Sequence, residues 1–448
     1  MTHQNLQIVI LAAGHGTRMK SETPKILHPL GGRPALYHVL DLAHQLTPRT
    51  VVLVVSPALK DIQTPFAHKT VVQHPAIGTG DAVKCALPHL NATGYVLILY
   101  GDTPLIRQET IDRMIASATH TPEMAVILLG MRPQDPQNYA RLLLNEKGGL
   151  EEVIEYKDLA PSQKNILLCN SGVMLIRADL LEPLLATLQP NNAAAEYYLT
   201  DIVKSARERG YPCGVVEGDA REFLGINTRQ DLAQAEGILQ DRWRETAMTA
   251  GATLVDPKTI YLSYDTRIEA DVTLHPCVVL GPGVTLDAGS EILPFCRLSD
   301  THVGRDAIVG PFAHLRGGVH LQEKAEIGNF VEVKKSTFGP HAKAKHLSYI
   351  GDAEVGSKAN IGAGTITCNY DGFNKFKTKI GDGVFIGSNS ALVAPLTIGD
   401  HAIVGAGSVI TQDIESRALA VTRSTQTTAL KGADKFREKR HTAKGKGI

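Results

Sequence analysis

Residues 380–410 read IGDGVFIGSNSALVAPLTIGDHAIVGAGSVI, with Ile380, Ile386, Leu392, Ile398, Val404 and Ile410 six apart. A period of six fits neither a helical repeat nor the alternation of a lone strand. It fits a parallel β-helix of hexapeptide repeats, where each side of a triangular coil is one short strand with one inward aliphatic. The same grid runs through Ile268, Leu274, Leu280, Leu286, Ile292 and Leu298. It shortens by one residue at Val303 and resumes at Val309, Leu315, Leu321, Ile327 and Val333. Eleven aliphatics in this half precede a glycine, which suits tight corners. Residues 368–379, CNYDGFNKFKTK, interrupt the grid and predict a loop projecting from the coil.

Upstream the rhythm differs. Short apolar runs at 8–12, 51–55, 96–100, 125–130 and 172–176 alternate with mixed stretches such as 34–46 and 78–90. Buried strands alternating with helices predict an α/β, Rossmann-like domain with a mostly parallel sheet. Residues 228–248 have a helical pattern without proline. The expected organisation is therefore 1–227 as an α/β domain, 228–249 as a helical linker, and 250–448 as a left-handed parallel β-helix with a basic tail.

Lys plus Arg and Asp plus Glu both total 46, so no global basic field exists to collect nucleic acid. Seven Lys/Arg between Lys431 and Ile448 face only Asp434 and Glu438, which reads as a solvated, disordered end. Six scattered cysteines without a paired spacing read as reduced thiols in a cytoplasmic protein. The apolar run IVILA is too short for a signal peptide, and no stretch approaches the length of a membrane span.

Residues 8–19, IVILAAGHGTRM, run from a strand into a glycine-rich loop. Backbone N–H groups of such a loop can wrap phosphate oxygens, because Gly14 and Gly16 put no side chain in the way. Arg18 and Lys25 supply cations where a triphosphate would lie. Asp102 follows the VLILY run, at the strand end where ligands collect in open α/β sheets. An Asp there can also cap a helix, and Lys25 can also be an ordinary surface lysine.

The segments LAAGHGTRM (11–19), PK (24–25) and YGD (100–102) resemble the sugar-phosphate nucleotidyltransferases. With the hexapeptide half included, the sequence is identified as a member of the bifunctional family that joins N-acetylglucosamine-1-phosphate uridylyltransferase to glucosamine-1-phosphate acetyltransferase. The resemblance covers nearly the whole chain. It implies synthesis of UDP-N-acetylglucosamine for peptidoglycan and lipopolysaccharide precursors, with UTP and acetyl-CoA as co-substrates and a homotrimer built through the β-helix. It implies that Leu11, Ala12, Ala13, Gly14, Tyr100 and Gly101 hold the nucleotide, with Lys25 and Arg18 on the phosphates. Gln73, Gly78 and Thr79 would recognise uracil, and Ala140, Glu155 and Asn170 the sugar. Asp102 and Asn227 would ligate Mg²⁺. The chemistry asks for no protein nucleophile, since the sugar phosphate attacks the α-phosphorus of UTP and pyrophosphate leaves. Ala140 replaces a usual Gly, and His15 a usual cation.

Acetyl transfer to an amine needs a base, and His346 in AKAKHLSYIGD has the side chain for it. By resemblance His346 is that base, with Glu332 as its partner. Arg316, Lys334, Tyr349 and Asn360 would grip glucosamine-1-phosphate. Ala363, Asn369, Tyr370, Ser388, Ala406 and Arg423 would line the acetyl-CoA site. Gly317 replaces a usual Pro. Lys345 replaces a usual Gly and sets a like charge beside a base that must become cationic.

Two rival readings remain at this stage. One is a single-function nucleotidyltransferase whose β-helix only assembles oligomers, against which HLSYIGD and NYDG count. The other is a scaffolding protein with both folds and dead sites, against which Lys25, Asp102 and His346 count.

Overall fold

A computed structural model describes residues 5–14, 16–136, 139–192 and 195–444, the side chains of 442–444 excepted. His15 and Lys446 lie outside the described residues. The chain divides into two compact units, Met1–Trp243 and Arg244–Ile448.

The first unit is built on a sheet whose main path runs Cys213–Gly218, Val126–Met131, Cys169–Arg177, Tyr95–Tyr100, Leu6–Ala12, Thr50–Val55, Lys69–Val72. The sheet is mixed, because Cys169–Arg177 runs antiparallel to both neighbours. Its central strands are apolar on both faces. Val9, Leu11, Val52, Val54, Val96 and Ile98 pack into one core, and Ile8, Ile10, Leu53, Val55, Leu97 and Leu99 into the other. A strand with two apolar faces stays folded only with layers on both sides, here including the helices Ala35–Gln45, Thr79–Ala86 and Gln108–His120. The open carboxyl ends of the central strands are left for ligand.

The helix Arg229–Thr249 begins inside the first unit. Its Ala235 and Leu239 join Met19, Leu30, Ala35, Leu105 and Ile226 in a third small core. Beyond the unit boundary, Arg244 Nε donates to the carbonyl of Ile260 at 2.8 Å.

The second unit is a left-handed parallel β-helix. Strands of two to four residues fall in turn on three parallel sheets, of ten, eight and eight strands. Coil-to-coil register stacks the grid aliphatics. Leu274, Ile292, Val309, Ile327, Ala344, Ile361, Ile386 and Val404 form one buried column. The loop at Asn369–Lys377 leaves the coil, closed by a Tyr370–Lys375 bridge and an Asp371 side chain that accepts from the amides of Phe373 and Asn374. The basic tail departs from the disordered end expected of it: Gly432–Lys444 is an exposed helix. Its run of helix-forming residues and the Asp434–Arg437 pair three apart offset the charge repulsion. Among the described residues, no helix is long and apolar enough to cross a membrane.

Candidate functional site

In the first unit a cavity of about 300 Å³ opens at the carboxyl ends of the central strands. Leu11, Ala12, Ala13 and Gly14 line it from the first strand and its loop, and Tyr100 and Asp102 from the neighbouring strand end. Lys25, Gln73, Gly78 and Thr79 also line it, with Thr79 opening a helix. Backbone N–H groups at a helix start favour an anion.

Glycines make the close approaches possible. Gly16 has φ +60°, and a Cβ there would sit 2.6 Å from Lys25 Cβ. Gly78 has φ +123°, and a Cβ would meet the carbonyl of Tyr197 at 2.5 Å.

Lys25 Nζ bonds Asp102 Oδ2 at 2.5 Å and Asn227 Oδ1 at 3.0 Å. The backbone holds these oxygens together, since the Ile226 amide donates to the Asp102 carbonyl at 2.8 Å. Two hard oxygen donors thus converge on one positive point, a donor set that suits Mg²⁺. Among the described residues no group of three or more His, Cys, Asp or Glu is arranged around one ion.

Gln73 is buried and its Nε2 donates to the Gly78 carbonyl and Asp81 Oδ2, both at 2.9 Å, which fixes the amide. Burial, with Glu155 and Asp102 nearby, holds the Tyr100 phenol above its ordinary value. Burial also raises the Glu155 carboxyl, which accepts from Thr200 Oγ1 at 3.2 Å. The Asn170 amide donates to the Ala140 carbonyl at 2.9 Å, so these two lie side by side. Gly101 is held by its amide on the Leu11 carbonyl. Ala140, Glu155, Asn170 and Asn227 stand outside the cavity lining, and Arg18 is exposed on the Thr17–Met19 turn.

In the second unit a smaller cavity of about 260 Å³ is lined by Pro311, Glu326, Asn329, Lys345 and His346 among others. His346 Nδ1 lies 2.7 Å from Asn329 Oδ1. A carbonyl oxygen only accepts, so Nδ1 carries a proton and Nε2 is the nitrogen left to act as a base. Glu332 is not at that position. It takes Nε and Nη2 of Arg316 at 2.9 and 2.6 Å, because its strand is in register with the Arg316 strand. The ring of His346 is bonded here by Asn329, one coil below it, and not by Glu332. Lys345 is not a bare charge either, since its ammonium pairs with Glu326. Glu326 also takes Lys343 at 2.7 Å, and the two lysines outweigh partial burial and hold its carboxyl below the ordinary value.

Arg316 and Lys334 occupy matching positions on adjacent coils, and Tyr349 follows Glu332 in the same way. The Lys334 ammonium is held below its ordinary value by Lys375 first, then by desolvation, with Arg316 adding less. Three cations therefore share one patch, and Lys375 is a member that sequence reading missed. Asn360 is in register with Lys343 on the neighbouring sheet.

Of the residues expected at the acetyl-CoA site, Ala363, Ser388 and Ala406 form a column on one corner. The Ala363 carbonyl accepts from the Asn389 amide, and the Ser388 carbonyl from the Gly407 amide, both at 2.8 Å. The Ala406 carbonyl accepts from Arg423 Nη1 at 2.8 Å. Tyr370 is exposed on the loop, whereas Asn369 is buried with its amide turned onto Asp352 at 2.5 Å.

Residues 8–143 match the MobA-like NTP transferase domain family, and residues 377–412 the bacterial transferase hexapeptide family. The chain is 49% identical over 450 residues to the bifunctional protein GlmU of Paramagnetospirillum magneticum, covering 100% of both. It is 50% identical over 431 residues to that of Rhodospirillum rubrum, covering 96% of both. Against that of Zymomonas mobilis it is 44% identical over 446 residues, covering 98% of this chain and 99% of the relative. A nucleotidyltransferase unit followed by a hexapeptide β-helix, matched end to end at this identity, places the chain in the bifunctional GlmU family, N-acetylglucosamine-1-phosphate uridylyltransferase and glucosamine-1-phosphate acetyltransferase in one polypeptide.

Proposed function

We propose that each unit carries one of the two family reactions at the site described above. The observation that carries this reading is the cavity at the strand ends, lined by the glycine loop, Lys25 and Asp102, with Asn227 bonded to Lys25 behind it. In the first unit the loop amides and the helix start at Thr79 cradle the nucleotide, while Gln73 and Gly78 meet uracil. Ala140, Glu155 and Asn170 flank the sugar. Lys25 orients the phosphates, and Arg18, exposed beside the loop, meets the departing pyrophosphate. Asp102 and Asn227 would hold Mg²⁺, which would supply charge neutralisation to the phosphates.

In the second unit Arg316, Lys334 and Lys375 grip the phosphate of glucosamine-1-phosphate, with Tyr349 and Asn360 beside them. Glu332 holds the Arg316 guanidinium in a fixed orientation. His346 Nε2 takes the amine proton while Asn329 fixes the ring. The acetyl-CoA arm runs along the Ala363–Ser388–Ala406 corner towards Arg423, with Tyr370 on its flank and Asn369 bracing the loop.

The active assembly is a homotrimer through the β-helix. Phe295, Phe312 and Phe330 stack at 4.9 and 5.2 Å between ring centroids, all about half-exposed, with Leu347 continuing the ladder. All four adopt left-handed backbone, φ +50° to +62°. That conformation costs a bulky residue about 1 kcal/mol or more, and a second copy of the chain offers the burial that offsets it. The substrates, together with six free thiols, support a cytoplasmic location.

Two assays on the purified protein test the reading. Pyrophosphate release from UTP with N-acetylglucosamine-1-phosphate, and thiol release from acetyl-CoA with glucosamine-1-phosphate, are both expected. Absence of either from the folded protein would refute the corresponding half.

A further inference from the structure

The third face of the β-helix carries a pair of histidines that neither reaction uses. Arg316, Lys334 and Tyr349 lie on one eight-stranded sheet, and Asn329 and His346 on the ten-stranded one. His302 and His320 lie on the remaining sheet, directly opposed on parallel neighbours Thr301–Val303 and Val319–Leu321. Their Nδ1 atoms are 3.0 Å apart, with the rings edge to face at 4.6 Å. Asp287 Oδ2 lies 2.9 Å from His302 Nε2.

A carboxylate on Nε2 fixes one tautomer: Nε2 carries the proton and Nδ1 presents its lone pair. This is the arrangement of a histidine prepared to ligate a metal, with a carboxylate orienting the ring from behind. His320 needs only to move its proton to its outer Nε2 for its own Nδ1 to present a second lone pair into the same gap. Metal–nitrogen bonds of about 2.0–2.1 Å at right angles separate two donor atoms by about 2.9 Å. The gap here matches that bite and is tight for a tetrahedral one. Asp287 faces away from the gap, so the protein offers two nitrogens and water takes the remaining positions. Imidazole pairs at right angles favour Ni²⁺ and Cu²⁺ over the oxygen-seeking Mg²⁺.

We propose that His302 and His320 form a surface site for a divalent transition-metal ion of the nickel and copper type, oriented by Asp287 and separate from both reaction centres. Such an ion clips two successive coils together, so bound metal also stabilises the second unit.

The test is nickel binding by calorimetry to the full chain, with Ni²⁺ as the probe. His3→Ala is introduced throughout, so that this histidine does not contribute to nickel binding. All variants keep the six cysteines, so thiol binding cancels in the comparison. Wild type should bind one more equivalent than His302→Ala or His320→Ala, and its melting temperature alone should rise with nickel. Asp287→Asn should weaken binding by roughly 10-fold or more, the usual effect of losing an orienting carboxylate. Both catalytic rates without nickel should be unchanged in all three variants. Equal nickel binding by wild type and the histidine variants would overturn the proposal, as would a wild type that takes up no nickel in millimolar excess.

Discussion

At the scale of single residues, the two sites differ in how far the sequence announces them. Lys25 and Asp102 are legible because each stands in a short local pattern, PK after the phosphate loop and GD after a strand. Asn329 and Lys375 are not, because coil stacking delivers them: Asn329 meets His346 across 17 residues. We expect Lys25→Ala to lower uridylyl transfer about 10²–10³-fold, the size of losing one well-placed charge-stabilising donor. Asn329→Ala should lower acetyl transfer without a matching change in the Michaelis constant for the sugar phosphate, because it frees the ring rather than the substrate grip. Steady-state kinetics of each variant decide both. His38 offers a pH test of the first unit. Burial, with Arg33 beside it, lowers the imidazole from 6.5 to about 4. Its Nε2 bonds the Leu30 carbonyl at 2.9 Å and its Nδ1 faces Arg33 Nη2 at 3.3 Å, a neutral ring in place. The unfolded chain takes up this proton first, so stability present above pH 6.5 is lost as the pH falls towards 4. The loss amounts to about 3 kcal/mol across that window. Urea midpoints of wild type and His38→Gln against pH should converge at the acid end.

At the scale of elements, the β-helix was the most legible part because its period is a direct imprint of its geometry. Each inward aliphatic is one side of one coil, so spacing alone gives fold and phase. The sheet of the first unit was legible as buried strands but not in direction. An apolar run such as GVMLI reads the same whether its strand runs with its neighbours or, like Cys169–Arg177, against them. The tail helix was hidden for a different reason, since a charge run signals solvation without excluding helix. The β-helix also makes a sharp demand at Gly328, where a Cβ would overlap the Lys345 carbonyl on the next coil. We expect Gly328→Ala to destabilise the second unit by at least the roughly 1–3 kcal/mol typical of overpacking. Because Gly328 adjoins Asn329, acetylation should fall further than folding alone explains. Thermal melts beside acetylation rates at a temperature where the variant stays folded will separate the two effects.

At the scale of the whole molecule, each proposed site lies within one compact unit. A chain ending at Thr249 should therefore keep pyrophosphate release and lose acetylation. The aromatic ladder sets a second expectation: Phe312→Glu with Phe330→Glu should reduce the assembly to monomers in light scattering while sparing uridylyl transfer. The central claim is that one chain holds two separate chemistries, one centred on Asp102 and the other on His346. The most direct measurement is both activities on the same two full-length variants, Asp102→Asn and His346→Ala, each checked for an unchanged melting temperature. Asp102→Asn should lose nearly all uridylyl transfer and acetylate at the wild-type rate. His346→Ala should lose acetylation by roughly 10²–10⁴-fold, the range for a general base, and transfer uridylyl groups normally. A variant that keeps the activity assigned to its missing residue, or loses both while folded, would contradict it.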